Sequence, residues 1–233
     1  MINIPLDGQY KSDSLTVSNQ LNVNCYVNIP QTQSFSQSNL FGTAGITEIS
    51  TTGAIRQVNR GSHVKAGKPY FLNGETLYRQ DLTTVGDVEV LTNIALGTIA
   101  GKGRVSMADN GVQLMVLIPG GNGYIINEAA GTVFQQITTG GFTANGTPQY
   151  VEFVDSFFIV TTDTKKFIKS DPNDGLAWNA LDFGSAESDP DNIVGLIVNK
   201  NRLYIAGSET IEEFQNVGTG GFPFQRTGMF VPK

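Results

Sequence analysis

The sequence predicts an all-β protein: a β-propeller-like array of about four blades over residues 41–233, preceded by an extended arm over residues 1–40. Three observations point there. The 233 residues include 27 glycines and only 15% charged residues, a balance that favours short strands and tight turns over amphipathic helices with charged outer faces. Four apolar cores, each followed by a turn and a second apolar run, recur about every 45 residues, the length of a four-stranded propeller blade. The stretch from Asp189 to Phe214 reads as strand, turn, strand, turn, strand, a meander with too few strands to stand alone, so it requires neighbours of its own kind. A two-sheet sandwich would also give short strands, but it does not need the 45-residue spacing.

In chain order, residues 1–40 are rich in Asn, Gln, Ser and Thr, and their apolar residues are isolated. Leu15 and Val17, then Leu21 and Val23, alternate as an edge strand would, and Tyr26, Val27 and Ile29 follow. This arm is expected either to lack order alone or to lie along a neighbour, with Leu15, Val17, Leu21, Val23, Tyr26 and Val27 as its assembly interface. The cores come next: 69–72 with 76–78, 114–118 with 123–126, 157–160 with 166–168, and 203–206 with 211–214, so that Phe71, Val116, Ile159 and Ile205 are equivalent. Each first run is expected to be an inner strand packed between blades, and each second run its hairpin partner. Asn73-Gly74 and Gly120-Gly121-Asn122-Gly123 supply the positive φ angles that hairpin turns need. Further strands are expected at 132–134, 178–181 and 222–224, the last weakened by Pro223. About four blades is the low end for a closed ring, so the sequence predicts an incomplete ring. It would be completed by further polypeptide or by a neighbouring chain.

Composition limits the function classes. A net charge of −6, with no basic run longer than Lys165-Lys166, argues against general affinity for nucleic-acid backbone. One cysteine, Cys25, and one histidine, His63, leave no internal disulfide and no multi-ligand Cys/His zinc site, and no cofactor is implied. The N-terminus lacks a secretory pattern and no run approaches a membrane span, which predicts a soluble protein made in a cytoplasm.

Four motifs come near to chemistry. Gly97 to Lys102 resembles a phosphate loop with one residue too few between its glycines and with Gly103 where a magnesium-binding hydroxyl belongs, so a glycine turn is expected. Asp171 to Trp178 is a degenerate Asp-box, with Asp171 replacing Ser and Asn173 replacing Asp. That turn caps backbone amides and packs its Trp between strands, and its clustered oxygens leave calcium as an alternative although the spacing is not that of an EF-hand. His63, in the polar stretch Arg60-Gly61-Ser62-His63, is expected at a surface turn in preference to a hydrolase triad. Glu187, Asp189 and Asp191 form a candidate glycosidase carboxylate set, against which stands the ordinary reading of solvated turn residues. A carbohydrate-binding or carbohydrate-cleaving propeller would expose Tyr70, Tyr124, Phe157, Phe158 and Trp178 on a concave face, whereas a structural propeller would bury them.

Gly101-Lys102-Gly103-Arg104-Val105-Ser106-Met107-Ala108, Ala186 to Asp191 leading to Ile193-Val194-Gly195, and Ser208 to Phe214, with echoes at Tyr26-Val27-Asn28 and Gly45-Ile46-Thr47, occur in an order that resembles the phage stabilisation proteins of short-tailed bacteriophages, the tail hubs also called packaged DNA stabilisation proteins of P22-like tails. The resemblance implies a virion structural protein of the tail, without catalytic residues. It implies a homo-oligomeric ring below the portal and its adaptor that receives the tail needle, contacts the tailspike and helps retain packaged DNA. Members of that family are longer than this chain.

Overall fold

The computed structural model describes residues 50–52, 57–86, 88–129, 131, 133–186 and 192–232, together with the backbone of four short N-terminal strands. Residues 1–49 and 50–233 are separate compact units. In the first unit, β1 (Tyr10–Lys11) pairs antiparallel with β2 (Asn19–Gln20), and β3 (Cys25–Asn28) with β4 (Asn39–Gly42).

The second unit is a succession of four antiparallel sheets, each of four strands paired in chain order. The first contains β5 (Asn59–Lys65), β6 (Lys68–Asn73), β7 (Thr76–Val85) and β8 (Val88–Thr98). The second contains β9 (Ser106–Asp109), β10 (Gln113–Leu117), β11 (Gly123–Asn127) and β12 (Val133–Gln136). A 3-10 turn (Gly140–Phe142) leads to β13 (Pro148–Val154), β14 (Phe157–Thr162), β15 (Lys166–Asp171) and β16 (Asp174–Ser185). The fourth contains β17 (Ile193–Asn199), β18 (Arg202–Gly207), β19 (Thr210–Asn216) and β20 (Phe224–Pro232). These are the meander blades of a propeller. Tight turns are built where the sequence tolerates left-handed backbone: Lys200 (φ 49°) and Asn201 (φ 59°) form the two-residue loop between β17 and β18, whose paired positive φ angles match the twist of the flanking strands.

Adjacent blades meet through apolar seams, and strand alternation decides which residue enters which seam. On β10, Leu114 and Val116 pack with Tyr70, Leu72 and Leu77 of the first blade. Met115 and Leu117 of the same strand face the other way, onto Phe158, Val160 and Trp178 of the third. On β14, Phe158 and Val160 enter that second seam while Ile159 enters a third, with Phe167, Leu203, Ile205 and Phe214. A strand buried on both faces reads as an unbroken apolar run, which is why 114–118 and 157–160 stand out in the sequence. Among the described residues the buried apolar side chains form three such clusters between four sheets, the arrangement of an open row.

The first strands of the blades lie side by side, β5 beside β9, β9 beside β13 and β13 beside β17. Backbone bonds tie them across seams: the Val105 amide donates to Arg60 O at 3.0 Å, and the Gly120 amide to Pro148 O at 2.8 Å. Ser106 Oγ both accepts from the Val151 amide (3.1 Å) and donates to its carbonyl (3.3 Å).

Three details differ from the sequence reading. In the first three blades the apolar core is the second strand, not the first, because the polar or mixed segments of β5, β9 and β13 pair ahead of it. Ile159 points into the opposite seam from Val116, since a shift of one residue flips a side chain to the other face; the third-blade residues facing as Val116 does are Phe158 and Val160. The expected strand at 222–224 starts at Phe224, with Pro223 just ahead of it, where the missing amide removes no ladder bond.

Phe158 is fully buried in the second seam, so Phe158→Ala should lower unfolding stability by about 3–5 kcal/mol in urea titration, whereas Leu82→Ala, on an exposed strand position, should change it by less than about 0.5 kcal/mol.

Candidate functional site

The residues singled out by sequence are scattered. Leu15, Val17, Leu21 and Val23 lie outside the described residues, as do Glu187, Asp189 and Asp191. Tyr26 and Val27 lie on β3, opposite Phe41 and Leu40 of β4. The Asp-box-like segment is a β15–β16 hairpin with Asn173 at φ 57°. Its Trp178 Nε1 donates to Gly175 O at 2.7 Å, and the ring packs edge-on against Phe142 in the second seam, so the turn is structural. Gly175 lets this hairpin lie against the second blade: a Cβ there would stand 2.4 Å from Ile125 Cδ1, and the Gly175 amide donates to Gln113 Oε1 at 2.8 Å. Tyr70, Tyr124, Phe158 and Trp178 are all buried, and Phe157 packs against the third-seam cluster, which is the arrangement of a structural propeller.

The glycine loop after β8 is organised by Arg60 of β5. Its buried guanidinium donates to Gly103 O (2.7 Å), Gly74 O (3.1 Å) and Ile99 O (2.7 Å), a staple that holds the loop leaving the first blade against the β6–β7 turn. Burial pulls its pKa below the usual arginine value. A cavity of about 570 Å³ opens beside it, lined in part by Asn73, Glu75, Tyr78 and Lys102. Gly101, at φ +107°, donates its amide to Glu75 Oε1 at 3.0 Å. A carboxylate of the protein's own therefore occupies the amide position that a phosphate would need, in keeping with a glycine turn.

The main polar constellation lies in the seam between the first two blades. Glu128, just after β11, accepts from Tyr70 Oη and Arg79 Nη1 and lies 3.3 Å from the buried Lys65 ammonium. Arg79 also grips Asp81, which pairs with Lys68 at 2.9 Å. Burial alone would raise the Glu128 pKa, but the hydrogen bonds from Tyr70, Arg79 and Lys65 outweigh it and hold the group below the usual carboxylate range. The Arg79 bonds likewise hold Asp81 down, while burial and the bond to Glu128 push the Tyr70 phenol up. Nothing at sequence level marked this network, whose members are separated by up to 63 residues.

His63 is a strand residue of β5, not a surface turn. Its Nε2 lies 2.6 Å from Asp109 Oδ2 on β9, which half-buries the ring and links the inner strands of two blades. Glu152 on β13 lies within the field of His63, and burial raises its pKa. Among the described residues no three His, Cys, Asp or Glu side chains converge as metal ligands, and no helix is long and apolar enough to cross a membrane.

The depressed carboxylates give a signed pH dependence. Their folded pKa values lie below those of the unfolded chain, so the stabilisation is present above about pH 4.5 and is lost as pH falls through the folded values. Glu128→Gln should cost about 2–3 kcal/mol at neutral pH by leaving Lys65 without its carboxylate, and should flatten the acid limb of stability measured by urea titration between about pH 6 and pH 3.

No curated protein matches the sequence. Among solved structures, apo AztD from Citrobacter koseri aligns over 91% of this chain and 60% of its own, at 12% identity and a TM-score of 0.50, a likeness of fold alone. Kluyveromyces lactis Hsv2 aligns over 82% of this chain and 57% of its own (9% identity, TM-score 0.47), and Myxococcus xanthus glutaminyl cyclase over 67% and 65% (12%, 0.40). The chain thus spans less than two thirds of the length of each. The family model described as Bacteriophage P22 Gp10, beta-propeller, matches residues 2–233. With four meander blades stacked through three apolar seams behind that match, the chain belongs to the phage stabilisation family of structural β-propeller proteins.

Proposed function

We propose that the protein is a tail hub: copies assemble as a ring below the portal and adaptor, receive the tail needle, contact the tailspike, and so keep packaged DNA inside the particle. The observation that carries this reading is the family match along residues 2–233, and the burial of the aromatics between blades agrees with a scaffold. A net charge of −6 suits a conduit, because an acidic protein resists sticking to DNA that passes it. Strand addition by the arm of residues 1–40, through Leu15, Val17, Leu21, Val23, Tyr26 and Val27, would let many modest contacts hold the ring together.

Phage in which this gene is disrupted should fill heads normally and then lose the DNA. Measured as DNase-sensitive DNA in purified particles, the loss should be near complete and be reversed by supplying the protein; particles that retain DNA without it would overturn the hub reading. Deleting residues 1–40 should leave the propeller body folded yet abolish its incorporation into tails, scored by immunoblot of purified particles. Normal incorporation would remove the arm from the assembly.

A further inference from the structure

Each blade ends on an outer strand, and the four outer edges are not alike. β12 is four residues long. β16 breaks register beside Ser170, and Asn179 to Asp182 have no partner residue on β15. β20 breaks register between Glu212 and Phe214 and carries Arg226 and Pro232. Short strands, irregular pairing, charge and proline are the means by which sheets keep their edges from pairing further. β8 lacks them over most of its length: it runs eight rungs with β7 in unbroken register, from Val85–Val88 to Tyr78–Ala95, and its only charged residue is Glu89. Among the described residues no strand lies on its other side, whereas on the β7 side of the same ribbon Lys68 crosses to Asp81 at 2.9 Å. A long, regular, nearly uncharged edge is a template for a further strand.

β3 fits that edge. It pairs with β4 alone, and a two-stranded sheet is marginal in water until a further strand joins it. It lies in the stretch from Leu21 to Ile29, where Leu21, Val23, Cys25, Val27 and Ile29 alternate with Asn22, Asn24, Tyr26 and Asn28, the sequence pattern of a strand with one apolar and one polar side. From Ser14 to Thr47 the chain carries no charged residue, so nothing there repels an edge whose one charge is Glu89. β8 is two-sided in the same way. Val90, Thr92 and Ile94 share one side, and on the other Asn93 accepts from Gln80 Nε2 of β7 at 3.2 Å. A strand added there sets its apolar residues beside Val90 and Ile94 and its asparagines beside the Gln80–Asn93 pair, where further amides extend the bonded row.

We infer that β3 of one copy adds to the β8 edge of a second copy, with Cys25 and Val27 on the side of Val90 and Ile94. Main-chain hydrogen bonds give such a join its affinity, and the alternation of both strands fixes which side meets which. The contact is heterologous: each copy gives one strand and receives one, so it repeats from copy to copy around a closed assembly. It rests on the reading of residues 1–40 as an assembly arm and names the edge that receives it.

Cys25 is the single cysteine of the chain and serves as the probe. In purified particles carrying Thr92→Cys, an exposed position on the Val90 side, mild oxidation should join Cys25 of one copy to the introduced thiol of the next. Dimers and higher multimers on non-reducing gels should form about tenfold faster than with Ala95→Cys, on the opposite side of β8, or with Gln135→Cys, on β12, because only the docked pair holds its thiols together. Adding Cys25→Ser should abolish them. Val90→Cys, on the same side as Thr92, gives the same readout if Thr92→Cys fails to enter particles. No multimers from either variant, equal rates at all positions, multimers that survive Cys25→Ser, or a bond closed within one chain would each overturn this docking, and the arm reading would stand as long as protein lacking residues 1–40 is excluded from tails. Normal incorporation of that truncated protein would overturn the arm reading and the docking with it.

Discussion

Everything in the propeller body depends on sheets finding apolar cover for both of their faces. A four-stranded antiparallel meander satisfies its own backbone but leaves two broad surfaces, and here the interior blades bury both by standing between neighbours. Each fully buried aliphatic or aromatic side chain in a seam is worth about 1.5–3 kcal/mol relative to exposure, so the three clusters dominate any polar contribution. Because β10 and β14 each contribute to two seams, the second and third blades cannot be packed independently of one another.

The seams are not alike. The second and third are closed by aromatic edge-to-face contacts, such as Phe142 on Trp178 and Phe167 on Phe214, whose geometry adds modestly to the area they bury. The first combines its apolar cluster with the Lys65, Tyr70, Arg79 and Glu128 network and with the Arg60 staple. Buried ion pairs recover their desolvation cost only when every partner is in place, so this seam is specific in geometry and sensitive to the protonation of Glu128.

How much of this was legible in the sequence follows from where each residue's partners lie. Runs such as Leu114 to Ile118 announce themselves because a strand covered on both faces has no polar side, and glycine and asparagine mark the turns by backbone requirements that are local. Trp178 could be placed between strands for the same reason: its anchoring bond goes only three residues back, to Gly175. The opening strands of the first three blades were hidden. Asn59-Arg60-Gly61-Ser62-His63 looks like a polar loop, and its strand character comes from Arg60 reaching carbonyls as far as 43 residues away and from His63 meeting Asp109. Glu128 was hidden likewise, one carboxylate among many until the fold brings two cations and a phenol to it.

The strands in series also make the row a mechanical object. A force drawn along the stacking direction passes through each seam in turn, where apolar contacts resist separation weakly and without direction; a force along the strands meets the ladder bonds of each hairpin together, in shear. Such a row is compliant from blade to blade and stiff within each blade. Under tension it extends first at the seam with the least contact, and its sheets keep their shape while their spacing gives.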